Sequence, residues 1–137
     1  MDNKELIELA GKARKASYSP YSGYAVGAAL LCADGTVYLG CNIENAAFSP
    51  TVCAERTAFF KAVYDGEREF EAIAIVGGPA GKPVSSPCAP CGVCRQVMRE
   101  FCKDDFKIYL GKGDGTYVES SLIEMLPFSF SGSNLEG

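Results

Sequence analysis

The chain has 137 residues, a net charge of −4 and no histidine. Its length predicts a single domain over residues 1–137 that buries roughly two-thirds of its unfolded surface. Hydrophobic residues make up 47% of the chain and charged residues 22%, as in an ordinary globular protein. The pI near 4.8 argues against a nucleic-acid partner, because proteins that bind duplexes usually carry a basic face.

The number of cysteines and the first residues of the chain indicate in which cellular compartment the protein lies. Asp2, Lys4 and Glu5 do not fit a signal peptide, and no apolar run approaches the length that spans a membrane. Because the seven cysteines are an odd number, reduced thiols that bind a metal are favoured over a disulfide framework. We therefore predict a cytoplasmic protein with no membrane partner. Without histidine, acid–base chemistry falls to carboxylates, lysines, tyrosines or thiols.

The first predicted element is a helix over residues 3–17, where Leu6, Ala10 and Ala13 fall on one apolar stripe. Residues 18–24 then break the helix, because they contain proline and glycine. This segment is rich in tyrosine. It is either a packed connecting loop or the wall of a pocket for a planar ligand.

Residues 25–32 and 37–43 are predicted to form a β-hairpin around a turn at residues 33–36. Asn42 and Glu44 follow at the end of the second strand. These polar side chains either cap the turn or bind hydroxyl groups such as those of a ribose, because Asn offers a donor and an acceptor and Glu accepts strongly.

Helices and strands alternate in the remainder of the chain, which predicts an α/β sheet layered between helices. The predicted elements are a buried helix from Cys53 to about residue 64, a strand at 72–76, a helix from 91 or 92 to 102, a strand at 106–110, a hairpin turn at 111–115, a short helix opening at Ser120 and a loose polar tail at 131–137.

Three cysteines indicate a metal site. Cys91 and Cys94 have the Cys-x-x-Cys spacing that lets two thiolates reach one ion, and Cys53 supplies a third sulfur. Three protein ligands and one open position are typical of catalytic zinc, whereas structural zinc sites are closed. Glu55 lies two residues past a ligand, where it can handle the protons of an activated water.

The spacing of Cys53 and Glu55 places this site off a helix N-terminus. Mid-helix residues two apart point in nearly opposite directions, so the two side chains can meet only where the helix begins. Three thiolates over-neutralise a divalent ion, and a nearby positive charge would offset the excess. Arg56 is the first candidate for that charge and Arg95 the second.

Several motifs, in this order along the chain, resemble the zinc-dependent cytidine deaminase family and its small homotetrameric branch. They are Tyr21–Ser22, Val26–Leu30, Cys41–Asn45, Thr51–Arg56 and Pro90–Met98. The resemblance implies a three-layer α/β/α sandwich with a mixed five-stranded sheet and helices on both faces. It also implies hydrolytic deamination of cytidine and 2′-deoxycytidine in pyrimidine salvage.

The resemblance also implies the roles of individual residues. Glu55 shuttles protons, and the Ala54 backbone grips the pyrimidine. Asn42 and Glu44 hold the ribose 3′-hydroxyl. The remaining implied residues are the zinc ligands Cys53, Cys91 and Cys94, the pocket residues Tyr24 and Phe48, and Phe130, which a neighbouring subunit of the tetramer contributes to a shared active site.

This chain departs from the family pattern at two positions, and three alternative functions remain open. Tyr24 stands where the family usually has phenylalanine, and Cys88 creates a rival Cys-x-x-Cys with Cys91. A deaminase of another aminopyrimidine nucleoside, of the blasticidin S type, is the alternative within enzymes. A structural zinc module would need Cys88 as a fourth ligand. A thiol–disulfide protein would use Cys91 and Cys94 but would leave Glu55 without a role.

Overall fold

The computed structural model describes residues 1–136. The elements in chain order are α1 (Asn3–Arg14), β1 (Tyr24–Cys32), β2 (Val37–Cys41), α2 (Ala54–Tyr64), β3 (Phe70–Pro79), α3 (Gly92–Phe101), β4 (Lys107–Gly111), β5 (Tyr117–Ser121), α4 (Leu122–Met125) and a 3₁₀ turn at Gly132–Leu135. None of the helices in this described part of the chain is long and apolar enough to cross a membrane.

The strands form one five-stranded sheet in the order β2-β1-β3-β4-β5. Only β3 and β4 run parallel; the other neighbouring pairs are antiparallel. The parallel pair needs a crossover, and α3 provides it. The mixed five-stranded sheet expected from the resemblance is therefore confirmed.

Helices cover both faces of the sheet. On one face, Leu6 and Ala10 of α1 pack against Ala74 and Val76 of β3. On the other face, α2 and α3 bury a second cluster that includes the fully buried Phe59. Burying one such aromatic side chain stabilises the fold by about 1.5–3 kcal/mol. The α/β/α layering is confirmed.

Two glycines let the helices approach the sheet closely. A Cβ on Gly27 of β1 would stand 2.1 Å from the carbonyl oxygen of Ala10 in α1. A Cβ on Gly40 of β2 would stand 2.3 Å from the carbonyl oxygen of Ala54, the first residue of α2. Gly40 therefore sets how close the first turn of α2 lies to the sheet.

The predicted bounds differ from the structure at several ends. The strand predicted at 72–76 is longer and spans Phe70–Pro79, because it pairs along the whole of β1. The first helix ends at Arg14 instead of residue 17, because short-range turn bonds such as Ser17 N–H to the Arg14 carbonyl (3.1 Å) follow it. The second strand ends at Cys41 instead of residue 43. There the side chain of Asn42 bonds the backbone of β1, and Ile43 bridges to other segments.

The C-terminal segment also differs from its prediction. The chain continues as β5 to Ser121, and the short helix begins at Leu122 instead of Ser120. A loose tail was expected over residues 131–137. Gly132–Leu135 form a 3₁₀ turn, at whose start the Asn134 side chain accepts the backbone N–H of Ser131 at 2.8 Å. Gly137 lies outside the described residues.

Candidate active site

The helices α2 and α3 begin side by side on one face of the sheet, and each begins at a cysteine. Cys53 is the N-cap of α2 and Cys91 the N-cap of α3, both with extended backbone. Neither side chain makes the usual capping hydrogen bond, so both sulfurs are free to bind elsewhere. Cys94 lies in the first turn of α3. The two helices therefore begin at the cysteines, as the spacing predicted.

The three sulfurs converge at the spacing that zinc requires. Cys91 Sγ lies 3.7 Å from Cys53 Sγ and 3.5 Å from Cys94 Sγ, and all three atoms lie within 4.8 Å of one another. Thiolates about 2.3 Å from a tetrahedral zinc ion would stand about 3.8 Å apart. The sulfurs therefore fit zinc with little rearrangement, and three protein ligands leave the fourth position to water or substrate.

Glu55 lies beside these sulfurs, with only 4% of its surface exposed. Its Oε1 is buried without a hydrogen-bond partner among the described residues. Burial, and after it the neighbouring Cys53 charge, raises the pKa of the Glu55 carboxyl to about 7. A carboxyl group in this environment can both accept and return a proton near neutral pH.

Arg56 lies against the sulfur of Cys53. Its Nη2 lies 3.5 Å from Cys53 Sγ, and its Nε is buried without a partner among residues 1–136. The pKa of Cys53 is lowered to about 5, first by a hydrogen bond from the Cys94 thiol and then by Arg56. The other candidate, Arg95, donates instead to the carbonyls of Pro90 and Met125.

Asn42 is nearly buried, at 9% exposure, and its amide is held from three sides. Its Oδ1 accepts from the Val26 N–H (3.0 Å) and from Ser17 Oγ (2.5 Å). Its Nδ2 donates to the Tyr24 carbonyl (2.8 Å). These contacts fix the orientation of the amide and leave one N–H of Nδ2 for a ligand.

Glu44 organises the tyrosine-rich loop. Its Oε1 accepts the backbone N–H groups of Tyr21 (2.9 Å) and Ser22 (3.0 Å), and its Oε2 accepts the Ser22 hydroxyl. These bonds lower the pKa of Glu44, the Ser22 hydroxyl foremost. The carboxylate therefore stays ionised, and Oε2 keeps capacity to accept a further hydroxyl proton.

The remaining predicted pocket residues are Ala54, Tyr24 and Phe48. Ala54 is fully buried in the first turn of α2, whose backbone N–H groups have no intrahelical partner. Tyr24 opens β1 and is 40% exposed. Phe48 is 67% exposed, with its ring edge-on to Tyr21 at 5.9 Å. A cavity of about 290 Å³ opens there, lined by Tyr21, Ser22, Glu44, Phe48 and Thr51.

Phe130 lies between α4 and the 3₁₀ turn. It is 59% exposed, and its carbonyl accepts from the Gln96 side chain at 2.9 Å. Cys88 lies near the site, close enough to interact with Tyr24 and Glu55, but within the described part of the chain it is not one of the converging sulfurs. Its sulfur packs over Gly77 of β3, where a Cβ would come within 2.8 Å. The rival register through Cys88 therefore does not assemble.

Two contacts in this site escaped the sequence analysis. Ser17 bonds the Asn42 amide, and Ser22 bonds the Glu44 carboxylate. Ser22 belongs to the Tyr21–Ser22 motif that carries the resemblance, but no role was predicted for it. Serine is common in loops, so the sequence carries no signal that singles out Ser17. Only the folded path of the loop beside residues 42–44 brings them there.

An α/β sheet that holds three thiolates and a buried carboxylate at two helix N-termini is characteristic of a catalytic zinc protein. Comparison with known proteins specifies the class. Residues 1–110 match the family model described as the cytidine and deoxycytidylate deaminase zinc-binding region. The chain therefore belongs to the cytidine and deoxycytidylate deaminase family.

Individual relatives match over nearly the whole chain. A cytidine deaminase of Sporosarcina psychrophila is 51% identical over 98% of this chain and 96% of its own length. A cytidine deaminase of Halalkalibacterium halodurans is 47% identical over 98% of each chain. The crystal structure of cytidine deaminase from Burkholderia pseudomallei superposes with a TM-score of 0.87 at 45% identity, covering 95% of this chain and all of the other.

A blasticidin-S deaminase of Bacillus cereus is more distant. It is 28% identical over 93% of this chain and 91% of its own length. The comparisons therefore favour the cytidine deaminases over the blasticidin type.

Proposed function

We propose that the protein hydrolyses the exocyclic C–N bond of cytidine and 2′-deoxycytidine, giving uridine or 2′-deoxyuridine and ammonia, a reaction of pyrimidine salvage. The observation that carries the proposal is the convergence of Cys53, Cys91 and Cys94 beside Glu55, whose Oε1 is buried and unpartnered among the described residues. This is a donor set for zinc with a proton carrier next to it.

The sugar would be held by Asn42 and Glu44. Asn42 has one N–H to donate and Glu44 has an oxygen that can accept, so together they suit a hydroxyl group, which does both. A contact at the 3′-hydroxyl is available to ribose and deoxyribose alike, which is why we include both nucleosides. The Ala54 N–H, free at the start of α2, would donate to the pyrimidine.

Glu55 would carry the protons. Its carboxylate takes a proton from the attacking water and delivers it to N3 of the pyrimidine as the water oxygen bonds to C4. It then takes the remaining hydroxyl proton and delivers it to the amine, and the C4–N bond breaks to release ammonia. Burial favours this sequence, because a carboxyl with a pKa near 7 gives up and regains its proton readily at neutral pH.

The ligands Cys53, Cys91 and Cys94 would hold one zinc ion per subunit. When bound, zinc acts as a Lewis acid that lets water react as a nucleophile near neutral pH. Arg56 compensates the excess negative charge of the thiolates through its contact with Cys53.

The test is the loss of cytidine absorbance in the ultraviolet, measured for the native chain and for Glu55→Gln and Glu55→Ala. We expect turnover by the native chain and a fall of about 10²–10⁴-fold in Glu55→Gln, the contribution of one acid–base group. Zinc analysis should find the metal retained in both variants. A Glu55→Gln enzyme with native turnover would exclude this role.

Blasticidin S serves as the competing substrate in the same assay. Because Asn42 and Glu44 suit a sugar hydroxyl, we expect higher kcat/KM for cytidine. A preference for blasticidin S would replace the proposed substrate class. A closed structural zinc module, or a thiol–disulfide protein, would deaminate neither compound.

We further propose that residues 1–137 form a single domain that assembles as a homotetramer in the cytoplasm. Large side chains are exposed on one chain, among them Phe60 (51%), Tyr64 (90%) and Phe130 (59%), and a neighbouring subunit would cover them. Phe130 would then complete a neighbour's substrate pocket. Sedimentation analysis gives the subunit number, and a monomer with full activity would contradict shared sites.

A further inference from the structure

We propose that Ser17 is a positioning residue that makes Asn42 a pure hydrogen-bond donor toward the sugar. This inference rests on the proposed function and concerns how the sugar hydroxyl is selected. It comes from the hydrogen-bond inventory of Asn42, and Ser17 lies 25 positions away in the chain.

The Asn42 amide has four hydrogen-bonding positions, and three are filled within the chain. Oδ1 accepts from the Val26 N–H at 3.0 Å and from Ser17 Oγ at 2.5 Å. Nδ2 donates to the Tyr24 carbonyl at 2.8 Å. The backbone partners exclude the flipped amide, because it would point N–H at N–H and oxygen at oxygen.

Ser17 occupies the last lone pair of Oδ1. Ser17 Oγ lies near both Asn42 Oδ1 (2.5 Å) and Ser19 Oγ (3.2 Å), and a hydroxyl has a single proton to donate. Since Oδ1 can only accept and lies closer than Ser19 Oγ, the Ser17 proton goes to Asn42. The amide oxygen is then closed to a ligand, and one N–H of Nδ2 stays open.

Glu44 supplies the opposite function. Its Oε1 holds two backbone N–H groups, and its Oε2 holds the Ser22 hydroxyl with capacity for one more proton. Asn42 therefore donates to the ligand and Glu44 accepts from it. A hydroxyl placed between the two residues would accept from Asn42 and donate to Glu44, whereas a hydrogen at the same carbon would do neither.

The loop does not depend on the Ser17 side chain for its path. Tyr18 N–H donates to the Asn42 carbonyl (3.0 Å) and Glu44 N–H donates to the Tyr18 carbonyl (2.9 Å). These backbone bonds hold residues 17–19 beside residues 42–44. Removing the hydroxyl should therefore change the binding properties of Asn42 and leave the fold in place.

The experiment measures kcat and KM for cytidine, together with the inhibition constant of 3′-deoxycytidine against cytidine, in the native chain and in Ser17→Ala. We expect KM for cytidine to rise about 2- to 10-fold with kcat nearly unchanged, because the Asn42 amide loses one of the three hydrogen bonds that hold its N–H toward the sugar. The inhibition constant of 3′-deoxycytidine, which lacks the hydroxyl, should move less than about 2-fold.

Two variants serve as controls for folding and chemistry. Ser17→Thr keeps the hydroxyl and should restore the native KM. Ser17→Cys keeps the size of the side chain with a weak donor and should behave like Ser17→Ala, which covers the case in which the alanine variant fails to fold.

Equal changes for cytidine and 3′-deoxycytidine, or no change in either, would overturn the role of Ser17 while the proposed function stands. A native chain that does not deaminate cytidine would overturn the proposed function, and the inference with it. A rise in KM confined to the substrate with the 3′-hydroxyl, reversed by threonine, supports Ser17.

Discussion

Replacing Arg56 by glutamine tests how the site balances the charge of three thiolates. Three thiolates bring three negative charges to a divalent ion and leave an excess of one. Arg56 Nη2 lies 3.5 Å from Cys53 Sγ and offsets that excess. Arg56→Gln keeps a donor near the sulfur and removes the charge.

The magnitude follows from the distance. Unit charges 3.5 Å apart attract by about 5 kcal/mol at an effective dielectric near 20. Arg56 is only partly buried, so solvent screening reduces this attraction to about 1.4–2.7 kcal/mol. We therefore expect kcat to fall about 10- to 100-fold, at about 1.36 kcal/mol for each factor of ten. Without Arg56 the excess charge makes zinc a weaker Lewis acid.

The assay compares kcat, zinc content and thermal midpoint for the native chain, Arg56→Gln and Arg56→Lys. Lysine keeps the charge and loses the planar guanidinium, so it should recover part of the lost rate. All three proteins should fold and carry zinc. Native kcat in Arg56→Gln at full zinc content would refute charge compensation, and a variant without zinc would show that Arg56 serves metal binding instead.

Two further predictions concern ligand identity and helix placement. Cys94→Ser should lose zinc and Cys88→Ser should keep it by metal analysis, because Cys88 does not belong to the sulfur cluster; the reverse result would favour the rival register. Gly40→Ala and Gly27→Ala should each lose about 1–3 kcal/mol in urea unfolding through overpacking. Only Gly40→Ala displaces the first turn of α2, so only it should also lower kcat of the folded protein, and equal kcat in the two variants would contradict this.

The sequence was most informative where local geometry determines the outcome. Cys53 and Glu55 lie two apart, and only a helix N-terminus lets two such side chains share a site. That constraint predicted where α2 begins, and the cysteine spacing predicted the same for α3. The alternation of apolar strands and helices predicted the α/β class in the same way.

Contacts that depend on the folded path could not be predicted. Ser17 reaches Asn42 only because Tyr18 bridges Ile43 in the folded chain. The first helix was predicted three residues too long because the polar residues after Arg14 continue the helical pattern, whereas the chain turns there to make that bridge. Nothing in the local pattern of these residues encodes a partner so far away.

The side chains proposed to bind the sugar also hold the loop that surrounds it. Three of the four hydrogen-bonding positions of the Asn42 amide are bonded to the start of β1 and to Ser17. Both oxygens of Glu44 accept bonds from Tyr21 and Ser22, and Oε2 can accept one more. Each therefore presents one remaining position in a direction fixed by the fold. These groups are already oriented before a nucleoside binds, so binding carries no free-energy cost for ordering them. The site is therefore sensitive to any substitution that breaks one of these internal hydrogen bonds.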